Sequence, residues 1–200
     1  FIRPLRISRN LFQSPREQYS LSRTNYSYER LNALNNFRFI DMQYSQSNID
    51  TNAALLDLTV NLTRAPKHSF SLETTGTNRS GNLGISSSIN YKNRNVFRGA
   101  EQLDLKIYGG LESQRTNSTI SDASDEVIDN ISIFNTYEFG TQLSITIPDF
   151  LLRLTAREFL WLKEPKTNIS ASIDRQVRPQ YQRNLLNTTY HFNAKANSWD

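Results

Sequence analysis

From Lys67 onward the chain alternates apolar and polar residues with a period of two. Phe70 and Leu72 alternate with Ser69, Ser71 and Glu73, and Leu83, Ile85, Ile89 and Tyr91 stand against Gly84, Ser86, Ser88 and Asn90. Leu103, Leu105, Ile107 and Leu111 oppose Gln102, Asp104, Lys106, Tyr108 and Glu112. Tyr137, Phe139, Leu143, Ile145 and Ile147 oppose Glu138, Gln142, Ser144 and Thr146. Successive side chains of a β-strand point to opposite faces, so each segment predicts a strand with one apolar and one polar face. Weaker strands are predicted over 167–174 and 186–192, with Thr188 and Tyr190 on the apolar side of the latter. Residues 78–82 and 93–100 predict short connections, and 115–130 a long loop with Asp122, Asp125, Glu126 and Asp129. Residues 150–165 break the regularity and predict a longer connection anchored by Trp161.

The first fifty residues have a different texture. Leu21, Tyr28, Leu31 and Leu34 recur at helical spacing, with Ser20 or Ser22 as the N-cap and Asn35 and Asn36 suited to ending the helix. Pro4 opens a shorter helix through Leu11, and Pro15 lies in the connection. Two strands follow. Over 37–45, Phe37, Phe39 and Asp41 face away from Arg38, Ile40 and Met42; over 56–63, Leu56, Leu58, Val60 and Leu62 face away from their polar neighbours. A polar loop, 46–51, joins them. The pattern divides the chain into an α+β part, residues 1–65, and a mainly β part, residues 66–200, meeting at Ala65-Pro66, where proline supplies no N–H to a ladder.

Such alternation fits a soluble antiparallel sheet with one face on a core, and it fits a transmembrane β-barrel. Two features favour the barrel. The polar face carries mid-strand charge at Glu73, Asp104, Lys106 and Glu138, as a wet lumen allows, while the other face is almost free of charge over about nine residues, enough for a tilted strand to span a bilayer. Tyr91, Phe97, Tyr137, Trp161, Tyr190 and Phe192 cluster near strand ends, where interfacial girdles sit. On this reading Leu103, Leu105, Ile107, Leu143, Ile145 and Ile147 face lipid. About six strands cannot close a barrel and leave two edges in lipid, so further strands are expected in sequence beyond this chain.

Composition narrows the function classes. Hydrophobic residues make up 37% and mean hydropathy is -0.59, low for a compact core and ordinary for an alternating chain. No run of about 18 apolar residues exists to form a spanning helix. The 23 basic and 19 acidic residues are interspersed, so the net charge of +4 does not point to nucleic acid. The absence of cysteine removes disulfides, cysteine zinc sites and thiol catalysis. The N-terminus, with Arg3, Arg6 and Arg9 and no apolar core, does not read as a signal peptide. Asn-x-Ser/Thr triplets, as at Asn25, Asn61 and Asn117, arise by chance in so Asn-rich a chain. His68 and His191 fall at strand ends and lack ligand partners; the acidic loop lacks EF-hand spacing; Gly109-Gly110 precede no helix that would hold phosphate. No enzyme activity, cofactor or metal is expected.

Several stretches together resemble the Omp85 superfamily of bacterial outer-membrane assembly proteins. Tyr19-Ser20 through Thr24, Leu31, Leu34 and Phe37-Arg38 look like the end of a periplasmic POTRA domain. Thr77-Asn78, Gly81, Leu83-Gly84, Tyr91, Asn93-Arg94-Asn95, Phe97-Arg98-Gly99 and Glu101, with the strand after it, resemble the opening barrel strands. Pro165-Lys166-Thr167, Arg178-Pro179, Tyr181 and Arg183 resemble the BamA/TamA-like proteins of Bacteroidetes called TamL. The resemblance implies part of a transmembrane antiparallel barrel in the outer membrane, preceded by part of a POTRA domain in the periplasm. The earlier POTRA domains, the signature of the sixth outer loop and the closing strand are absent from this sequence.

The resemblance also implies a function: insertion or translocation of nascent outer-membrane proteins through a barrel seam. The first barrel strand, with Ser69, Phe70, Ser71, Leu72, Glu73, Thr74 and Thr75, would form one side of that lateral gate. Implied partners are nascent clients, outer-membrane lipid, and accessory lipoproteins or an inner-membrane assembly component. The alternatives are a two-partner secretion transporter and, less favoured because of the POTRA-like region, a passive porin.

Overall fold

The structure is a computed structural model, which describes residues 2–46, 56–79, 82–114, 134–149 and 162–196. Among these residues two helices, α1 (Pro4–Ser8) and α2 (Leu21–Ala33), precede eight strands. These are β1 (Phe37–Gln46), β2 (Leu56–Arg64), β3 (His68–Arg79), β4 (Asn82–Arg94), β5 (Gln102–Ser113), β6 (Thr136–Ile147), β7 (Leu162–Arg178) and β8 (Tyr181–Ala196). The fold is mainly β. β1 and β2 form one antiparallel pair, and β3 to β8 form a six-stranded sheet in sequence order.

In α2, Thr24 closes the first turn by donating from its N–H and its hydroxyl to the Ser20 carbonyl. The helix stops where Asn35 takes a left-handed φ of 53°, a conformation asparagine tolerates. Leu31 and Leu34 are buried with Ala100, and Ile40, Met42, Val60 and Leu62 pack against them. Ser27 shares this face and is fully buried, its hydroxyl donating to the Arg23 carbonyl and accepting from the Phe12 N–H. Leu21 and Tyr28, which the helical spacing places with the core, are exposed. A short buried Ser27 lets the 11–12 backbone approach the helix.

The β1–β2 register places Ile40 opposite Leu62 and Met42 opposite Val60. A bulge at Arg38 pairs Phe37 with Arg64 but Phe39 with Thr63. The extra residue turns Phe37 onto the core side, while Phe39 stays outside and is 63% exposed. The predicted pairing of Phe37 and Phe39 on one face is corrected by that bulge. Helix α1 also stops at Ser8, short of Leu11, because the Asn10 side chain donates to the Arg6 carbonyl and closes the turn. Residues 47–51 of the polar loop lie outside the described residues.

Every neighbouring pair from β3 to β8 is antiparallel, and no shift interrupts the register between β3 and β7. One row across the sheet runs Phe70, Tyr91, Leu105, Leu143, Ala171, Thr188; the next runs Leu72, Ile89, Ile107, Thr141, Ile173, Leu186. Strands β7 and β8, of 17 and 16 residues, are the longest. They exceed the predicted 167–174 and 186–192. Pro165, a strand breaker in sequence, sits in an irregularity between Lys163 and Lys166 that accommodates its missing N–H, so β7 runs through it. At the far end Pro179 and Gln180 form a two-residue turn. The expected connection therefore shortens, and residues 150–161, with Trp161, lie outside the described residues.

The helices lie at the end of the sheet where β3 begins. There the 95–101 turn between β4 and β5 holds positive φ at Asn95, Arg98 and Ala100, each unfavourable for a non-glycine residue by about 1–3 kcal/mol. Hydrogen bonds hold it: Phe97 and Gly99 donate their N–H groups to the Glu101 carboxylate, and Ala100 donates to the Asn95 side chain. Arg3 N–H donates to the Arg98 carbonyl. The Arg6 guanidinium donates to the Gly99 carbonyl at 3.1 Å, to Asp149 at 2.6 Å and to the Pro148 carbonyl at 3.4 Å. Helix α1 is thereby tied to the turns after β4 and β6.

On the polar face Tyr108 lies across Gly140, its partner in the register, and Asp174 flanks Gly140 on the other side. A Cβ at position 140 would stand 2.5 Å from the Tyr108 hydroxyl and from Asp174 Oδ1, whereas one at position 76 meets nothing within 4 Å. We expect Gly140→Ala to destabilise the folded state by about 1–3 kcal/mol by displacing the Tyr108 ring. Gly76→Ala should be neutral or slightly stabilising. Urea titration of the folded fraction checks both, and equal behaviour of the two variants would show that the Tyr108 ring is not fixed there.

Candidate functional site

Backbone parity puts all the large apolar residues predicted to face lipid on one side of the sheet. Leu103, Leu105 and Ile107 of β5 share it with Leu143, Ile145 and Ile147 of β6. Phe70 and Leu72 of β3, Ile85 and Ile89 of β4, Ile173 of β7 and Leu186 and Tyr190 of β8 extend it. No described element covers this face. Its side chains supply most of the exposed large hydrophobics, whereas among the described residues the buried hydrophobics are Leu31, Leu34 and Ala100, all at the helical end. A face this wide and apolar is unfavourable in water and favourable against hydrocarbon.

The opposite face is wet chemistry. Lys92 Nζ lies 3.2 Å from Asp104, and Lys106 stands over the Tyr108 ring at 5.7 Å. Asn168 bridges the Ser144 and Thr146 hydroxyls at 2.8 and 2.9 Å. Glu73, Glu112, Glu138, Asp174 and Gln142 share this side. Alternation alone leaves the register open; it settles with Ser88 opposite Tyr108 and Asp104 opposite Lys92. Among the described residues one charged side chain departs from the pattern: Arg175, opposite Phe139, lies on the apolar face three residues from the end of β7. That position lets a long cationic side chain reach the boundary.

β3, with Ser69, Phe70, Ser71, Leu72, Glu73, Thr74 and Thr75, is an edge strand. It pairs along its whole length with β4 and with no other described strand; β8 is the other edge, so the sheet is open among the described residues. Phe70 and Leu72 are 75% and 72% exposed, having neighbours on one side only. Polar side chains reinforce the ladder to β4 through Thr74–Ser87 at 3.0 Å and Asn90–Ser71 at 3.3 Å. Among the described residues β1 and β2 likewise pair only with each other.

The expected aromatic positions divide between the two ends. His68 stacks on Tyr91 and bonds its hydroxyl at 2.9 Å, Phe70 packs on the same ring, and Tyr190 and Phe192 lie in neighbouring rows. Tyr137 lies at the opposite end and donates to the Phe134 carbonyl. Beside it the Asn135 amide bonds both the N–H and the carbonyl of Gln114, closing the ladder before the long connection. The acidic segment 115–130 lies outside the described residues. Sequence reasoning missed Arg6 and the Tyr108–Gly140 contact. A mid-strand glycine such as Gly140 does signal close approach, but its partner needs the register; Arg6 reaches acceptors 93 and 143 positions away and carries no local signal.

Among the described residues no group of His, Cys, Asp and Glu is placed to hold a metal ion, and no helix is long and apolar enough to cross a membrane, which says nothing of crossing by strands. No protein family and no curated protein matches this chain. Among solved structures, the crystal structure of BamA from Haemophilus ducreyi lacking POTRA domains 1-3 is similar at a TM-score of 0.36 and 11% identity, covering 94% of this chain and 40% of that one. The chain spans less than half the length of that structure.

Proposed function

We propose that this chain is part of an outer-membrane β-barrel that assembles, inserts or translocates other outer-membrane proteins, with β3 at the seam of the barrel. The observation that carries the membrane reading is the predominantly apolar face of β3 to β8, uncovered by any described element and carrying Arg175 alone of the described charged side chains, while the other face holds the remaining charges. Strands β3 to β6 have 12 or 13 residues. At about 3.3 Å per residue and a tilt of about 40° they rise roughly 30 Å, the thickness of a hydrocarbon core. In hydrocarbon every N–H and C=O needs a partner, so an edge such as β3 requires either a closing strand or an incoming one. That need is the basis of a lateral gate, and clients would enter it as strands.

The assembly role is supported by the order of motifs that resembles Omp85 proteins and by the α/β unit seated at one end of the sheet, where a POTRA domain would stand in the periplasm. The narrower TamL reading rests on Pro165-Lys166-Thr167 and the Arg178 to Arg183 stretch alone. The free sides of β1 and β2 are suited to receiving unfolded clients by strand addition. Nascent outer-membrane proteins, lipid, and lipoprotein or inner-membrane accessories are the proposed partners. The charged inner face favours a second reading, a transporter that passes one client through the lumen.

The membrane reading predicts that Leu105→Arg and Ile145→Arg each cost about 2–4 kcal/mol and deplete the protein from the outer-membrane fraction, while Ser144→Arg on the wet face is tolerated. The opposite ranking in membrane fractionation and folded-state gels would reverse the faces. The gate reading predicts that a disulfide between Ser71→Cys and a cysteine on the closing strand stops client insertion, with reductant restoring it. A disulfide joining Asn90→Cys to Lys106→Cys, paired neighbours that need never separate, should leave insertion unchanged. Normal insertion by the seam-locked protein would favour passage through the lumen.

A further inference from the structure

Among the described residues Arg175 is the one charge on the apolar face, and it stands where that face changes character. Along β7 and β8 this side runs through Ile169 with Tyr190 and Ile173 with Leu186, then turns polar, Arg175 pairing with Asn184 and Val177 with Gln182. The change comes three residues from the end of β7, roughly 8 Å below the turn at about 3.3 Å per residue and a tilt of about 40°. Among the described residues of the sheet no carboxylate shares that face: Glu73, Asp104, Glu112, Glu138 and Asp174 lie on the other. Across Phe139, the partner of Arg175 on β6, the same side holds a notch of about 450 Å³ lined by Ile85, Ser87, Gly109, Leu111, Tyr137 and Phe139. Gly110 and Glu138 also border it, but the parity of Glu138 turns its side chain to the opposite face. Gly109 opens the notch. A Cβ there would meet the Glu138 carbonyl at 3.6 Å and the Phe139 ring at 3.9 Å, ordinary contacts, so close packing does not demand glycine and the missing side chain leaves room.

A guanidinium facing hydrocarbon is unfavourable, whereas one at the level of the lipid headgroups meets phosphate, which its planar fork fits with two hydrogen bonds. Asn184 and Gln182 add amides that both donate and accept, as sugar hydroxyls require. We propose that this face binds a phosphorylated, acylated glycolipid of the outer leaflet. Arg175 holds its phosphate, Asn184 and Gln182 its sugar, and one acyl chain lies in the notch over Gly109. The proposal rests on the membrane reading and on the helical unit marking the periplasmic side, which puts the turn between β7 and β8 outside. It makes lipid a ligand at a fixed place rather than only a solvent for the face. A free phosphate has no use for the notch, and a phospholipid has no use for the amides.

Native mass spectrometry of the full-length protein in neutral detergent, with added lipid A, dephosphorylated lipid A or phosphatidylglycerol, tests this. Lipid A should be retained in preference to both others. Arg175→Gln should weaken its retention roughly fivefold, the effect of about 1 kcal/mol from one cation at a lipid surface, and Arg175→Lys should keep most of it. Gly109→Leu, an apolar residue on an apolar face and so compatible with folding, should also weaken retention by filling the notch. Arg183→Gln, on the wet face of the same hairpin, should change nothing. Equal retention of dephosphorylated lipid A or of phosphatidylglycerol, indifference to Arg175→Gln or to Gly109→Leu, or displacement of the lipid by millimolar inorganic phosphate overturns the proposal. Membrane fractionation separates the two failures. A protein that embeds but gives any of these results refutes this inference alone; a protein that does not embed refutes the membrane reading with it.

Discussion

The constraint on which the structure depends is the conservation of phase across six strands. An antiparallel ladder places partners side by side on one face, so a slip of one residue in any strand would carry its apolar set into the charges of the next. From β3 to β7 no such slip occurs, and the irregularity in β7 lies beyond the rows shared with β6. Apolar residues reach one side and Lys92, Asp104, Lys106 and Glu138 the other because the phase is kept. The small hydrophobic core at the helical end is a separate matter, made by Leu31 and Leu34 seated on Ala100.

This segregation was legible in the sequence because a period of two needs no knowledge of neighbours. Leu105 and Leu143 belong to one face by parity in their own strands, and the ladder merely brings them side by side. What escaped depends on partners or on single inserted residues. Phe37 reaches the core through a bulge at Arg38 that no local pattern marks. The extent of β7 was hidden by Pro165, whose local meaning is a break and whose actual place is an irregularity that does without its N–H. Ser27 lies on the buried side of α2 although a serine carries no hydrophobic signal, because the Phe12 N–H needs its oxygen.

The turn after β4 shows how the two parts of the chain depend on each other. Its left-handed residues are unfavourable in isolation, and Ala100 in particular has a methyl group where glycine would be easier. That methyl group is buried against Leu31 and Leu34. The local cost is offset by packing against the helix, and the sheet turn in turn completes the helix's core. The Asn36 side chain, which donates to the Leu34 carbonyl and towards that of Ala100, spans the same boundary.

The reach of Arg6 has a consequence for the order in which the chain acquires its structure. Each strand of the large sheet pairs with the strand before it in sequence, so hairpins can add one after another, each closing only the connection between neighbours in the chain. The Arg6 bonds instead span 93, 142 and 143 positions. They cannot form until β6 has been laid down and its end brought back beside α1. Among the described contacts this guanidinium therefore records how far assembly has progressed, half made when the turn after β4 exists and complete when the residues after β6 arrive.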